Sequence, residues 1–295
     1  MKPAPFKYIA AASLAQALAL KAEHGDEAKF LAGGQSLLPA MNFRLAQPAI
    51  LIDINRIEEL AGIRPNAGGA KIGAHVGALA RYHRLERDAG MIRDFPLLGE
   101  ALPHIAHPQI RNRGTIGGNL SHADPASELP AVAVTLQARL HLQTATAERW
   151  VDAGDFFLGS LTTDIQSDEM LTGIEFPSSP PRTGSCFMEI ARRRGDFAIV
   201  GTAALVTLDE NDRCSRIRLA FCGVGETPVD ASAEAGLLIG REVTEAAIAE
   251  VAHAIQEIIE PTGSVHATAD YQRHVAGVLT ERALATANQR ARDGH

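Results

Sequence analysis

Two glycine pairs, each set beside a small hydroxyl residue, constrain this chain more than any other feature. The first lies in Leu31-Ala32-Gly33-Gly34-Gln35-Ser36-Leu37. The second, roughly eighty residues further on, lies in Arg113-Gly114-Thr115-Ile116-Gly117-Gly118-Asn119. Adjacent glycines let the backbone turn sharply and bring bare N–H groups close to an anion. Each pair stands after or near an apolar, strand-like run. Two such loops, brought together, hold a diphosphate, and that points to a dinucleotide cofactor.

The rest of the chain narrows the possibilities. Its 295 residues exceed a typical single domain, so two or three modules are expected. Hydrophobic residues at 46% and charged residues at 21% are enough for a substantial core, and the net charge of -7 argues against nucleic-acid binding. No apolar run approaches ~18 residues, so no transmembrane segment is expected, and the N-terminus does not read as a signal peptide. Cys186, Cys214 and Cys222 are scattered and fit no zinc or iron–sulfur spacing, so they read as buried thiols in a reducing cytoplasm. His104, His107 and His122 lack metal-ligand spacing, and no metal site is expected.

Periodicity predicts a helix from Ser13 to His24 ended by Gly25, a strand from Ala28 to Leu31, and a helix from Leu37 to Leu45 with Ser36 as N-cap. Pro39 falls in the first turn of that helix, and a strand follows from Ile50 to Ile54. Ala70 to Ile72 reads as a strand, and Gly77 to Arg87 and Phe95 to Ile105 as helices. Ala131 to Leu136 and Ala138 to Leu142 are apolar or alternating. Pro177 to Pro181 is the clearest linker. Beyond it come strands at Ala198 to Leu208 and Ile217 to Gly223, a turn at Glu210 to Arg213, and helical patterns at Ala231 to Ile239, Glu245 to Ile259 and Thr268 to Ala287. The last of these is expected to pack on its own module, with a subunit contact as the alternative. A nicotinamide fingerprint fails because Pro228 occupies the place of the third glycine after Gly223 and Gly225, and no Gly-Lys-Ser/Thr marks a P-loop.

The ordered set Ala32 to Pro39, Arg111 to Asn119, His122-Ala123-Asp124-Pro125, Ser127-Glu128-Leu129-Pro130, Phe156 to Gly159 and Arg192 to Ala198 resembles the FAD-binding medium subunit of molybdenum hydroxylases. That family includes carbon monoxide dehydrogenase and the flavin domain of xanthine dehydrogenase, and the resemblance spans nearly the whole chain. It implies an α+β, vanillyl-alcohol-oxidase-like (PCMH-type) FAD-binding fold. Two α/β modules, residues 1–58 and 59–178, would clasp FAD. A C-terminal α+β domain, residues 179–295, with a small antiparallel sheet and helices, would close over the flavin.

The resemblance also implies site residues. The diphosphate loops map onto Leu31, Ala32, Gly33, Gly34, Gln35 and Ser36, and onto Thr115, Ile116, Gly117, Gly118 and Asn119. Ile105 and Ala106 line the cofactor. Glu128 stands near the ribityl chain as a carboxylate acceptor, Ile165 packs near the ring, and Phe197 occupies a position that is often Tyr beside the flavin. Asp124 reads either as a flavin contact or as a turn residue before Pro125. Glu189 falls where some relatives have Lys. Gln35 stands where covalent relatives carry His, which implies non-covalent FAD.

No residue of this chain is assigned as a catalytic acid, base or nucleophile. The implied role is an oxidoreductase subunit that passes electrons from a small [2Fe-2S] subunit to an external acceptor, while a large molybdopterin subunit hydroxylates substrate. The implied assembly is a cytoplasmic dimer of heterotrimers. A stand-alone FAD-dependent oxidoreductase is the alternative. Arg192 to Arg194 form either a solvated basic face or a docking strip for a partner.

Overall fold

The structure, a computed structural model, describes residues 2–65 and 74–294. The strand expected at Ala70 to Ile72 lies outside the described residues. Strands β1 (Lys7–Ala10), β2 (Ala28–Leu31) and β3 (Ile50–Asp53) form a parallel sheet in the order β1-β3-β2. Parallel neighbours require crossovers. Helices α1 (Leu14–His24) and α2 (Leu37–Asn42) supply them. The Ser13 hydroxyl caps α1 by accepting from the Gln16 amide at 3.2 Å, and the Gln16 side chain takes the Ala12 amide at 2.7 Å. Gly25, at φ +49°, ends the helix as expected.

α2 is shorter than its pattern suggested. It stops at Asn42, and Arg44 turns the chain away at φ +60°. Ser36 occupies the capping position but is itself in helical conformation, and its hydroxyl bonds no amide.

The second sheet is antiparallel. Its strands are β4 (Ile63–Pro65), β5 (Ala74–Gly77), β6 (Arg139–Gln143), β7 (Glu148–Asp152) and, after the hairpin β8 (Phe157–Gly159) and β9 (Thr162–Thr163), β10 (Met170–Phe176). They lie in the order β4-β5-β10-β6-β7.

Between β5 and β6 run α3 (Tyr82–Leu85), α4 (Ala89–Asp94), α5 (Pro96–Ala101), α6 (Pro108–Arg111), α7 (Ile116–His122) and α8 (Glu128–Thr135), with α9 (Ala153–Phe156) after β7. The helix expected from Gly77 to Arg87 is replaced by a strand end, a turn and the single turn α3. The amides of Gly77, Ala78 and Leu79 bond to carbonyls of Gly62, Thr172 and Leu60, so β10 and the turn leading into β4 claim the groups a helix would use. The Phe95 to Ile105 pattern splits into α5 and a 3-10 turn at Leu102–His104, because Pro103 has no amide to continue the ladder. α8 is buried along its whole length, which removes the polar face that periodicity detects.

The third sheet, β11 (Thr183–Ala191), β12 (Ala198–Leu208), β13 (Cys214–Cys222) and β14 (Val229–Asp230), is antiparallel in sequence order. After it come α10 (Ser232–Ala235), α11 (Glu245–Ile258) and α12 (Ala269–Asp293). The sheet is covered on both sides. Phe187, Ala203, Leu205, Ala220 and Cys222 join the core containing α5 and α8, while Cys186, Val200, Ala204, Val206, Leu219 and Phe221 pack with α11 and α12. Double burial explains why β12 reads as a long apolar run. All three cysteines are buried and free. Among the described residues no helix is long and apolar enough to cross a membrane.

A polar clamp ties α12 to α5 through β11. Arg290 Nη1 donates to Glu100 Oε1 and to the Ser185 carbonyl, both at 2.5 Å, and Glu100 Oε2 accepts from the Phe187 amide at 2.9 Å. Arg290→Ala leaves Glu100 without its cation. Both side chains are partly exposed, so the loss is expected to be about 1 kcal/mol. Denaturant unfolding at neutral pH, with Glu100→Gln as the milder comparison, checks this.

Candidate functional site: the glycine-loop cradle

The first glycine loop leaves the end of β2 and enters α2. Gly34 adopts φ +71°, and the Gln35 side-chain amide donates back to the Gly33 carbonyl at 2.9 Å. Among the described residues, the amides of Gly33, Gly34, Gln35 and Ser36 hydrogen-bond to no carbonyl or side chain. Four successive unspent donors in a tight loop form an anion cradle.

The second loop is built differently. Thr115 is buried and caps α7, its hydroxyl oxygen accepting from the Gly118 amide at 3.1 Å. The Ile116 and Gly117 amides donate to the carbonyls of Ala80 and Ala78, and the Asn119 amide to that of Thr115. Most of this loop's donors are therefore spent on the protein, contrary to the bare N–H groups expected of it. Its glycines serve close approach. A Cβ on Gly117 would lie 2.4 Å from Ala78 Cβ, and one on Gly114 2.4 Å from the Tyr82 ring. The Asn119 side chain also turns inward, accepting from the Ser127 hydroxyl at 2.9 Å.

The two loops meet. A Cβ on Gly33 would lie 2.5 Å from the Arg113 carbonyl oxygen and 2.9 Å from Gly114 Cα, and one on Gly118 would be 3.9 Å from Ala32 Cβ. Two residues that the motif reading did not single out stitch the seam. Asn55 Nδ2 donates to the carbonyls of Leu31 and Ala32, at 3.2 and 2.9 Å. Its Oδ1 accepts from Arg81 Nη2 at 2.5 Å, and Arg81 Nη1 donates to the Arg113 carbonyl. No local signal marks their role at the seam, since the partners they hold there are more than twenty positions away in the chain.

Residues 4–179 match the family described as the FAD binding domain in molybdopterin dehydrogenase, and residues 185–287 the CO dehydrogenase flavoprotein C-terminal domain. This chain is an FAD-binding medium subunit of the molybdenum hydroxylase family. It is 41% identical, over 99% of its length and 97% of the relative's, to the 6-hydroxypseudooxynicotine dehydrogenase complex subunit alpha of Paenarthrobacter nicotinovorans. It is 40% identical, over 98% and 97%, to the caffeine dehydrogenase subunit beta of Pseudomonas sp. (strain CBB1). Its structure superimposes on a chain of carbon monoxide dehydrogenase from Hydrogenophaga pseudoflava with a TM-score of 0.94 at 38% identity, covering 98% of this chain and 99% of that one. The medium subunit thus has the α+β flavin fold and the oxidoreductase membership that its motifs implied.

The residues present fit FAD. The unspent amides of the first loop suit a diphosphate, and Gly33 leaves no room for a side chain where the loops close. The other expected site residues lie on separate elements. Ile105 is buried, and Ala106 turns at φ +46°, with both carbonyls held by Arg111 Nη1 at 3.1 Å. Gly195, on the loop joining β11 to β12, packs on this segment, and a Cβ there would lie 2.7 Å from the Ala106 carbonyl oxygen. Phe197, on the same loop, is 69% exposed. Ile165 is half-buried against the central core, on a turn gripped by Arg149, which binds both Glu169 oxygens and the Asp164 carboxylate and carbonyl. Asp124 makes a turn contact, its Oδ1 accepting from the Ala126 amide at 2.9 Å. Among the described residues no group of three metal-ligating side chains is assembled, His104, His107 and His122 included. His104 Nδ1 instead lies 3.1 Å from a carboxylate oxygen of Glu189.

Glu128 departs from its expected protonation state. Only 5% exposed, its carboxyl is pushed up to about 8 by burial; its own backbone amide opposes the shift, and Glu189 and Asp124 add to it. At neutral pH the group is mostly protonated, so it offers a donor as well as an acceptor.

Two outcomes follow. Gly33→Ala forces the loops apart, and the flavin-to-protein ratio of the purified subunit is expected to fall about tenfold at limiting FAD. For Glu128 the folded pKa lies above the unfolded value of 4.5. Its stabilising contribution is therefore full below pH 4.5 and is lost as pH rises to about 8. Glu128→Gln is expected to melt near wild type at pH 5 but several degrees higher at pH 8.5; equal offsets at both pH values would contradict the assignment.

Proposed function

We propose that this chain holds FAD non-covalently at the junction of the two glycine loops and relays electrons from a small [2Fe-2S] subunit to an external acceptor. Substrate is hydroxylated on a separate molybdopterin subunit, in a cytoplasmic assembly that is a dimer of heterotrimers. FAD supplies the interconversion between two-electron and one-electron transfer when bound. This chain's residues do the rest of the local work. The amides of Gly33 to Ser36 take the diphosphate, with Thr115 to Asn119 closing the opposite wall. Glu128 holds a proton beside the ribityl chain, Ile105, Ala106 and Ile165 keep water from the ring, and the exposed Phe197 borders its open edge. Residues 1–58 and 59–178 act as the two halves of the clasp and 179–295 as the cover.

The observation that carries this reading is the contact of Gly33 with Arg113 and Gly114 beside four unspent amides. The chain's own chemistry agrees with a relay role. Its three thiols are buried and dispersed, so an iron–sulfur cluster must come from a partner, and Gln35 carries no ring nitrogen to bond the flavin covalently.

Stopped-flow absorption of the assembled complex and of the FAD-loaded subunit alone tests it. In the complex, flavin bleaching is expected to follow bleaching of the iron–sulfur bands after substrate is added. The subunit alone is expected to stay oxidised with the same substrate. Flavin reduction in the isolated subunit by a small substrate would make it a self-sufficient oxidoreductase and overturn the proposal.

A further inference from the structure

Building on the FAD reading, we propose that Arg81 supplies a fixed positive charge, and the exposed Arg113 a second charge beside it, that seat the cofactor's diphosphate, with Asn55 positioning Arg81 at the seam between the two loops.

The geometry singles out Arg81. Its guanidinium is half-buried and fixed by two neutral acceptors, the Arg113 carbonyl of the second loop and Asn55 Oδ1, while Asn55 also grips the Leu31 and Ala32 carbonyls of the first loop. The charge therefore stands where the loops join. The carbonyl that Arg81 holds is the same atom that a Cβ on Gly33 would strike. Burial pushes the Arg81 pKa down, and the field of the Arg113 guanidinium adds to the shift.

Neither arginine has a carboxylate ion pair among the described residues, although Arg93, Arg111, Arg149, Arg182, Arg241 and others do. The carboxylate whose field acts on Arg81, Asp53, is engaged elsewhere. Its Oδ2 accepts from the Tyr8 hydroxyl at 2.5 Å and its Oδ1 from the Asn55 amide and side chain. Asp53 offsets part of the local charge at a distance, since its field favours the charged form of Arg81. What remains is a pair of guanidiniums next to four unspent amides, in a chain whose net charge is -7. Like charges held together cost free energy unless an anion lies between or beside them. A diphosphate carries about two negative charges and three-dimensional acceptor capacity that a fixed guanidinium matches. The amides give directional bonds, and the arginines give the field.

The test is FAD titration of the full-length apo-subunit by fluorescence quenching, between 50 and 500 mM NaCl on the order of a decade of ionic strength. Wild type, Arg81→Gln, Arg81→Lys and Arg113→Gln are compared. Arg81→Gln is expected to weaken binding about tenfold to a hundredfold at the lowest salt, and Arg113→Gln about threefold to tenfold. Both are expected to flatten the dependence of log Kd on log salt, by about one charge each. Arg81→Lys is expected to restore the salt slope and part of the affinity. A purely structural role would predict that Lys fares no better than Gln and that the slopes stay equal, and either result overturns the proposal. Arg113 is exposed, so Arg113→Gln remains informative if Arg81→Gln fails to fold. Wild type that fails to bind FAD at any salt would instead overturn the cofactor reading itself.

Discussion

The backbone of Gly33 lies against the backbone of Arg113 and Gly114 at a distance that excludes any side chain, and the surrounding architecture is organised to hold that contact. The parallel sheet delivers the first loop from the end of β2. The antiparallel sheet delivers the second through the turn after β5, whose Ala78 and Ala80 carbonyls take the amides of Gly117 and Ile116. The halves of the cradle are chemically unequal as a result. One keeps its donors free, and the other spends most of them on its own placement. An anion bound there meets directional donors from one side and a rigid wall from the other.

The third sheet contributes by being buried twice. One face packs with α5 and α8 of the flavin-binding region, and the other with α11 and α12. Cross-links add direction to this apolar contact: the Glu100–Arg290 clamp, the Gly223 amide on the Pro125 carbonyl at 2.8 Å, and Gly195 against Ala106. Together they set the loop bearing Phe197 beside the Ile105–Ala106 segment, so an exposed aromatic stands next to that segment without being part of either core. Burial at the same junction leaves Glu128 protonated at neutral pH, and it keeps Cys222 far from thiolate formation.

Long elements with one clear face, or a single long run, were legible: α1 with its Ser13 cap and Gly25 stop, β12 over Ala198–Leu208, and α11 from Glu245. The stretch from Gly77 to Ile105 was not. Its elements are one or two turns long, and neighbouring elements, rather than local propensity, decide where its amides bond. α8 gave no periodic signal because it has no solvent face. The glycine loops were legible because their chemistry is local. Asn55 and Arg81 were not, because each acts across a gap in sequence that only folding closes.

The amino-acid sequence determined by itself the two glycine loops and the ordered motifs that mark the family. These rest on residue identity and spacing, which need no partner to be read. Tertiary structure alone decided which amides stay free, which charge stands at the seam, and that Glu128 keeps its proton. Each of these depends on what lies within a few ångströms after folding, since hydrogen-bond satisfaction and desolvation belong to the environment of a group and not to its place in the chain.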